Sequence, residues 1–290
     1  MPGFLDIPHQ YTHPETARVQ IIPVPYDATS TYRKGSDRGP QAIIDASAQV
    51  EWFDIETGGE HYQQGIHTQQ PVVCNEDDPV HLAPLVRQRV AAALDGGKLP
   101  VVIGGEHSVT IGAVEAAASR MGPITTLQID AHGDTRDSYH GSKYNHACVM
   151  ARAKEHGSIV QVGIRAIDRQ ELDGMDRKRV YFAHEIARWE RGNDDSWMDR
   201  VIDQLEDHVY LTIDLDALDP SILPSTGTPE PGGLGWYTVN ELVRRVARNR
   251  RIVGFDVVEL CPNESHHASD FIAAKLVYRV MCEILAAEKA

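Results

Sequence analysis

A three-layer α/β/α architecture, with helices on both faces of a mostly parallel sheet, is what this sequence predicts. Two observations carry the prediction. Short β-branched runs alternate with segments whose apolar residues recur at three- and four-residue spacing. The runs themselves are apolar nearly end to end, the pattern of strands buried on both faces. Taken in order, Val19 begins the strand VQIIPV, and DPVHLAPLVRQRVAAALDGG follows as a helix that stops at paired glycines. Leu99 begins the strand LPVVIGG, and VTIGAVEAAASRMG is the next helix. Further strands start at Ile124 (ITTLQID), Ile159 (IVQVGI) and Arg179 (RVYFA). The helical stretch SWMDRVIDQLED leads into VYLTIDLD from Val209, and TVNELVRRVARN leads into RIVGFDVVEL from Arg251. No linker, repeat or low-complexity stretch interrupts the alternation, so residues 1–290 read as a single domain.

Composition removes several classes of function. The 42 acidic against 28 basic residues give a formal charge of -14, which argues against nucleic acid or an anionic membrane as the partner and suits a small cationic one. The four cysteines, at positions 74, 148, 261 and 282, form no CxxC pair and no disulfide framework, which points to a reducing compartment. The stretch MPGFLDIPHQ lacks the features of a signal peptide, and no apolar run approaches the roughly 20 residues that span a bilayer. A cytoplasmic protein is expected.

Function in parallel sheets gathers where loops leave the carboxyl ends of strands. Here GGEHS follows LPVVI, DAHGD follows ITTLQI, DLDALDP follows VYLTI, and Glu259 follows VGFDVV. Asp130, His132 and Asp134 are spaced by two and point to one side if the backbone stays extended; Asp214 and Asp216 repeat that spacing. Either pair alone reads as a solvated turn or a helix cap. Together, at separate strand ends, the carboxylates would repel one another unless cations held them. Mixed carboxylate and imidazole donors suit Mn²⁺ before Ca²⁺, with Zn²⁺ or Co²⁺ as further choices. Five ligands, or six with His107, match two ions sharing carboxylates.

GGEHS, DAHGD, TIDLDALDP and GTPEPGG resemble the signature segments of the ureohydrolases, the arginase and agmatinase family. PVPYDATSTYRKGSDRGPQAI and GFDVVELCP resemble its agmatinase branch, so the resemblance covers nearly the whole chain. It implies an arginase-like fold with about eight strands and a hydrolase carrying two Mn²⁺ per subunit. One ion would be held by His107, Asp130, Asp134 and Asp214, the other by Asp130, His132, Asp214 and Asp216. The implied catalytic set is Asp134, His146 of YNHACVM as a proton shuttle, and Glu259 as partner to the guanidinium. The implied reaction is agmatine to putrescine and urea, in polyamine biosynthesis, by a homotrimer or homohexamer.

Arginine, guanidinobutyrate, another guanidino acid and formiminoglutamate stay open as substrates, because the loop TRDSYHGSKYN offers Asp137 as well as Arg136 and Lys143. A binding protein that uses metal only for stability is the alternative of another class. Two positions depart from the common family pattern: Glu106 stands where Asp is more usual, and Gly133 where Thr, Ala or Leu is often found. Asp219 reads as a turn former or a support to the ligands, and His266 with His267 as surface or interface residues.

Overall fold

The computed structural model describes residues 3–288. Eight strands, β1 (Val19–Val24), β2 (Ile66–Thr68), β3 (Leu99–Gly104), β4 (Thr125–Ile129), β5 (Ser158–Ile164), β6 (Val180–Phe182), β7 (His208–Asp214) and β8 (Arg251–Val258), form one sheet in the order β2-β1-β3-β8-β7-β4-β5-β6. Every strand pairing in it is parallel. All seven runs read as strands are present. The eighth, β2, is a three-residue edge strand, too short to leave a pattern in the sequence.

Nine helices complete the described residues: α1 (Gly39–Ser47), α2 (Ala83–Asp95), α3 (Val109–Met121), α4 (Val149–Ala153), α5 (Arg169–Gly174), α6 (Ala183–Arg191), α7 (Ser196–Ile202), α8 (Trp236–Asn249) and α9 (Ala268–Ala287). Side chains of the strands divide between the two faces by parity. Val19 and Ile21 of β1 join Ile43, Val239 and Val277 in one core with α1, α8 and α9; Ile22 and Val24 join Val86, Val109 and Val114 in a second with α2 and α3. Every residue of β1, β3 and β4 is buried, which is why these strands carry no alternation of apolar and polar residues.

Three helix boundaries differ from expectation, α8 starting at Trp236, two residues before the stretch TVNELVRRVARN. α2 starts at Ala83, where Pro84 in the first turn presets the helical φ, so the stretch from Asp78 is turn. α7 stops at Ile202, short of Asp207. The long α9, like α1, α4, α5 and α6, lies outside the segments that apolar spacing picks out. Leu276 through Leu285 are all buried, so α9 has no polar face to reveal a period. Its Arg279 reaches Asp54 at 2.6 Å and Glu283 at 2.5 Å, which pairs a cation that burial would otherwise penalise.

The strand order places the site. β3, β8, β7 and β4 are consecutive across the middle of the sheet, and each of the four polar clusters leaves one of them at its carboxyl end. Gly105 lets the end of β3 pass against the loop after β1, since a Cβ there would lie 2.0 Å from the carbonyl oxygen of Tyr26. His107 follows two residues later.

Candidate active site

Asp130 directly follows β4, Asp214 ends β7, Asp216 sits in the short 3₁₀ turn Leu215–Ala217, and Glu259 directly follows β8. Their side chains converge in two groups whose donor atoms lie close enough for a metal ion: His107, Asp130 and Asp134 in one, Asp130, His132 and Asp216 in the other. Asp130 belongs to both. Asp214 stands beside the first group, with Oδ2 3.4 Å from His107 Nδ1. The extended backbone expected from Asp130 to Asp134 does not persist. The chain bends at Ala131, and Asp134 has a φ of 49°, a left-handed conformation that Asp tolerates better than most residues. That turn is what sends Asp134 toward His107 while His132 goes to Asp216, at 2.9 Å.

The His107 ring tests whether cations fit. Nδ1 is enclosed and makes no hydrogen bond, yet it lies 3.0 Å from Asp134, 3.2 Å from Asp130 and 3.4 Å from Asp214. A single ring nitrogen cannot satisfy three carboxylates. A divalent cation among them satisfies all four groups, and the second group, with the same donor chemistry, suits a second. The other ring nitrogen explains which form His107 takes. Thr212 gives its hydroxyl proton to Asp256 at 2.6 Å, so at 2.9 Å it accepts from His107 Nε2. Nδ1 is then the nitrogen turned to the carboxylates, able to take a proton there or to serve a metal ion bare.

The titration behaviour of the cluster agrees. Burial and the charge of Asp130 push Asp134 up to about 6; burial, with Asp216 and Asp130 beside it, holds Asp214 well above the usual carboxylate range. Burial alone would depress both histidines, but their carboxylate neighbours hold His107 well above its ordinary value and His132 up to about 12. Carboxylates pressed together in a buried place therefore draw in positive charge.

Sequence reasoning missed the residues that hold these ligands. Gln128 donates to Asp130 Oδ2 at 2.7 Å and is itself held by Gln161 at 2.6 Å. Asp256 anchors Thr212, and also accepts from Tyr210 and Thr110, each at 2.9 Å. Arg165 binds the carbonyls of Asp216 at 2.6 Å and Glu230 at 2.8 Å, tying two loops beneath the site. A partial signal was available: Gln128 and Thr212 stand two residues before Asp130 and Asp214, so in an extended strand each shares a face with one of those acids. Asp219 acts as a turn former. It accepts from Ser221 N and from Gly232 and Gly233 N, each at 3.0 Å, which joins the DALDP and TGTPEPGG loops.

Above the ligands opens a cleft of about 270 Å³. His146 and Glu259 line it, with Tyr32, Arg33, Arg136, Asp168, Glu171 and Glu230 farther out. Glu259 has a φ of 67°, an uncommon conformation for Glu, and its Oε1 accepts from His107 N at 2.8 Å. Burial and the neighbouring Glu106 raise its carboxyl well above the usual range. Burial, with the charges of His107 and His132, lowers His146 to about 4.

Both departures from the family pattern have a structural account. Glu106 is not among the groups that could hold metal. It lies behind them and accepts from Ser108 and from the hydroxyl and N–H of Thr29. At Gly133 a Cβ would meet Met175 at 3.0 Å and Ile167 at 3.2 Å, so neighbouring side chains already fill that space. The loop charges are accounted for as well. Arg136 is paired with Asp168 at 3.0 Å and Glu171 at 3.2 Å, and Asp137 with Lys143 at 3.1 Å and Arg152 at 2.7 Å. His266 and His267 are exposed and belong to neither metal group. Among the described residues, no helix is long and apolar enough to cross a membrane.

Comparison with known proteins agrees with the fold and the site. The chain is 41% identical over 273 residues to the N(1)-aminopropylagmatine ureohydrolase of Thermus thermophilus, covering 92% of this chain and 90% of that one. It is 40% identical over 275 residues to the N(1)-aminopropylagmatine ureohydrolase of Synechocystis sp., covering 91% and 88%. Among solved structures, the agmatine ureohydrolase of Thermoplasma volcanium superposes with a TM-score of 0.86 at 31% identity, covering 100% of this chain and 95% of that one. The arginase family model matches residues 17–283, a span that includes all eight strands and both ligand groups, and the protein belongs to that family of ureohydrolases.

Proposed function

We propose that this protein is a two-manganese hydrolase that releases urea from a guanidinoalkylamine, with N1-aminopropylagmatine as its preferred substrate. The observation that carries the reaction is the pair of ligand groups sharing Asp130 at the floor of a cleft that Glu259 also lines. His107, Asp130, Asp134 and Asp214 would hold one Mn²⁺, and Asp130, His132, Asp214 and Asp216 the other. When bound, such a pair supplies a water activated for attack at neutral pH and balances the charge of the carboxylates. Glu259 would orient the guanidinium through its second oxygen. Water adds its oxygen to the guanidinium carbon, the bond from that carbon to the substituted nitrogen breaks, and urea leaves. His146 would carry a proton to the departing amine, which is released as an ammonium.

Charge supports the substrate class. The outer lining carries three acids, Asp168, Glu171 and Glu230, against two bases, Arg33 and Arg136, so with Arg136 shared between Asp168 and Glu171 its net charge stays negative. That suits the ammonium groups of an amine tail and opposes the carboxylate of arginine or a guanidino acid. The aminopropyl derivative is preferred to agmatine because it carries two amines for those acids and because the relatives at 40–41% identity bear that name. Agmatine itself is the second reading, favoured by the modest cleft volume of about 270 Å³. The four free cysteines accord with a cytoplasmic location. A single domain over residues 1–290 and a homotrimer or homohexamer complete the proposal, the latter to be checked by light scattering.

The test is urea release by Mn²⁺-loaded protein from N1-aminopropylagmatine, agmatine, arginine and 4-guanidinobutyrate. The expected order of kcat/KM places the two amines first. Urea from none of the four contradicts the hydrolase reading and favours a metal-stabilised binding protein; a preference for a carboxylated substrate contradicts the substrate class alone.

A further inference from the structure

His146 is held from behind by a relay that repeats the one on His107. Thr29 Oγ1 lies 3.0 Å from His146 Nδ1 and 3.1 Å from the backbone N–H of His146. The same oxygen is hydrogen-bonded to Glu106 Oε2, which also accepts from Thr29 N at 2.9 Å. A hydroxyl has one proton to give, and here two acceptors compete for it: the Glu106 carboxylate and the ring nitrogen. Burial pushes the Glu106 carboxyl up to about 7, but its Oε2 already accepts from Thr29 N, so it faces Thr29 as an acceptor, and as a carboxylate it makes the stronger, charge-assisted bond. Thr29 then has no proton left for His146, and the Nδ1 contact forms only if the ring supplies the hydrogen. Glu106 is fully buried, with Ser108 bonded to its other oxygen, so the carboxylate is fixed in place.

We propose that Glu106 and Thr29 are positioning residues that hold His146 as the Nδ1–H tautomer, leaving Nε2 bare on the edge of the ring that faces the cleft. The inference rests on the reading of His146 as the proton carrier. It gives the assignment of roles its direction: a bare Nε2 first takes a proton from the water that adds to the guanidinium carbon and then gives it to the leaving amine nitrogen as the carbon–nitrogen bond breaks. The chain thereby uses one device twice in mirror image. Thr212 and Asp256 fix Nε2–H on His107 and free Nδ1 for a cation; Thr29 and Glu106 fix Nδ1–H on His146 and free Nε2 for a proton. It also gives Glu106 a task that is not metal ligation.

The test compares wild type with Thr29→Val, which keeps the shape and removes the hydroxyl, and with Thr29→Ser, which restores it. Ring ¹⁵N shifts of His146, assigned by their loss in His146→Asn, are read in ¹⁵N-histidine-labelled protein carrying diamagnetic Zn²⁺ in place of Mn²⁺. Urea kinetics are read on the Mn²⁺ form. The expected result is a protonated Nδ1 in wild type and Thr29→Ser, and loss of that form in Thr29→Val. In the same series kcat falls about 10- to 100-fold for Val, as for other residues that orient a working imidazole, with KM retained and most of kcat regained in Ser. Wild-type ring shifts in Thr29→Val, or a loss of kcat that Ser does not restore, would overturn the proposal. If wild type releases no urea, the reaction reading fails separately, and the ring shifts still decide the tautomer.

Discussion

At the floor of the cleft, Asp130 and Asp214 leave the adjacent strands β4 and β7, both are buried, and each has a carboxylate oxygen bonded to the backbone two residues on. At the outer cleft, Tyr32 is 76% exposed, and Asp168, Arg136 and Glu230 ride on segments between elements, with Arg136 stacked 4.4 Å over Tyr139 and paired to its acidic neighbours. The sheet sets the positions of the first group to the precision of its register, whereas the second group depends on loops and on pairings that water and ligands can exchange. The floor is thus suited to chemistry that does not vary. The outer cleft is where one member of the family would come to differ from another in the amine it accepts.

That contrast predicts a gradient of effects. The largest is at the floor: Asp134→Ala removes a donor from the proposed metal site and is expected to cost several kcal/mol of transition-state stabilisation, about a thousandfold in kcat, while circular dichroism stays that of wild type. A fully active variant would contradict its role. One layer down, Thr212→Val frees the His107 ring from Asp256 and lowers Mn²⁺ affinity about 10- to 100-fold, measured by calorimetry on chelated protein. Unchanged affinity would mean that the Thr212–Asp256 pair serves packing alone.

At the outer cleft the expected effect is smaller and of another kind. Asp168→Asn raises KM for N1-aminopropylagmatine by up to about fivefold, the scale of one exposed ion pair, and leaves kcat near wild type. A drop in kcat with KM retained would place Asp168 with the floor and dissolve the distinction.

The smallest effect on catalysis is expected at the cluster under α9. Burial alone would raise Asp54, but the N–H and hydroxyl of Thr57 and the Arg279 guanidinium hold it below the ordinary carboxylate value. A carboxyl whose folded pKa is depressed contributes stability that is present above its unfolded value, about 3.9, and lost as pH falls through the folded value. Asp54→Asn is expected to lower the melting temperature at pH 7, to flatten its decline below about pH 4, and to leave urea kinetics unchanged. An altered kcat would show that the cluster reaches the active site.

How much of this was legible in the sequence follows the same division. The candidate site was legible because Asp130, Asp214 and Glu259 stand at the ends of apolar strands, where polar residues are conspicuous. Their supports were less so: the two-residue spacing puts Thr212 on the face of Asp214, but its task shows only when Asp256 arrives beside it from β8. The bend at Ala131 hid as well, since a spacing of two looks the same whether or not the chain stays extended. Arg136 and Lys143 left the substrate open in the sequence, and only their pairing with Asp168, Glu171 and Asp137 removes them as free cations. β2 and α9 lacked a signal for opposite reasons: one has three residues, and the other is buried on every side from Leu276 to Leu285.

The central claim is that two cations held on Asp130 make the floor a hydrolase. It is tested most directly by titrating Mn²⁺ into chelated protein while urea release from N1-aminopropylagmatine and bound metal are measured together. Two Mn²⁺ per chain, with full activity only once both are bound, is the result expected. Full activity in the chelated protein, or two bound ions with no urea released from any guanidine, would contradict it.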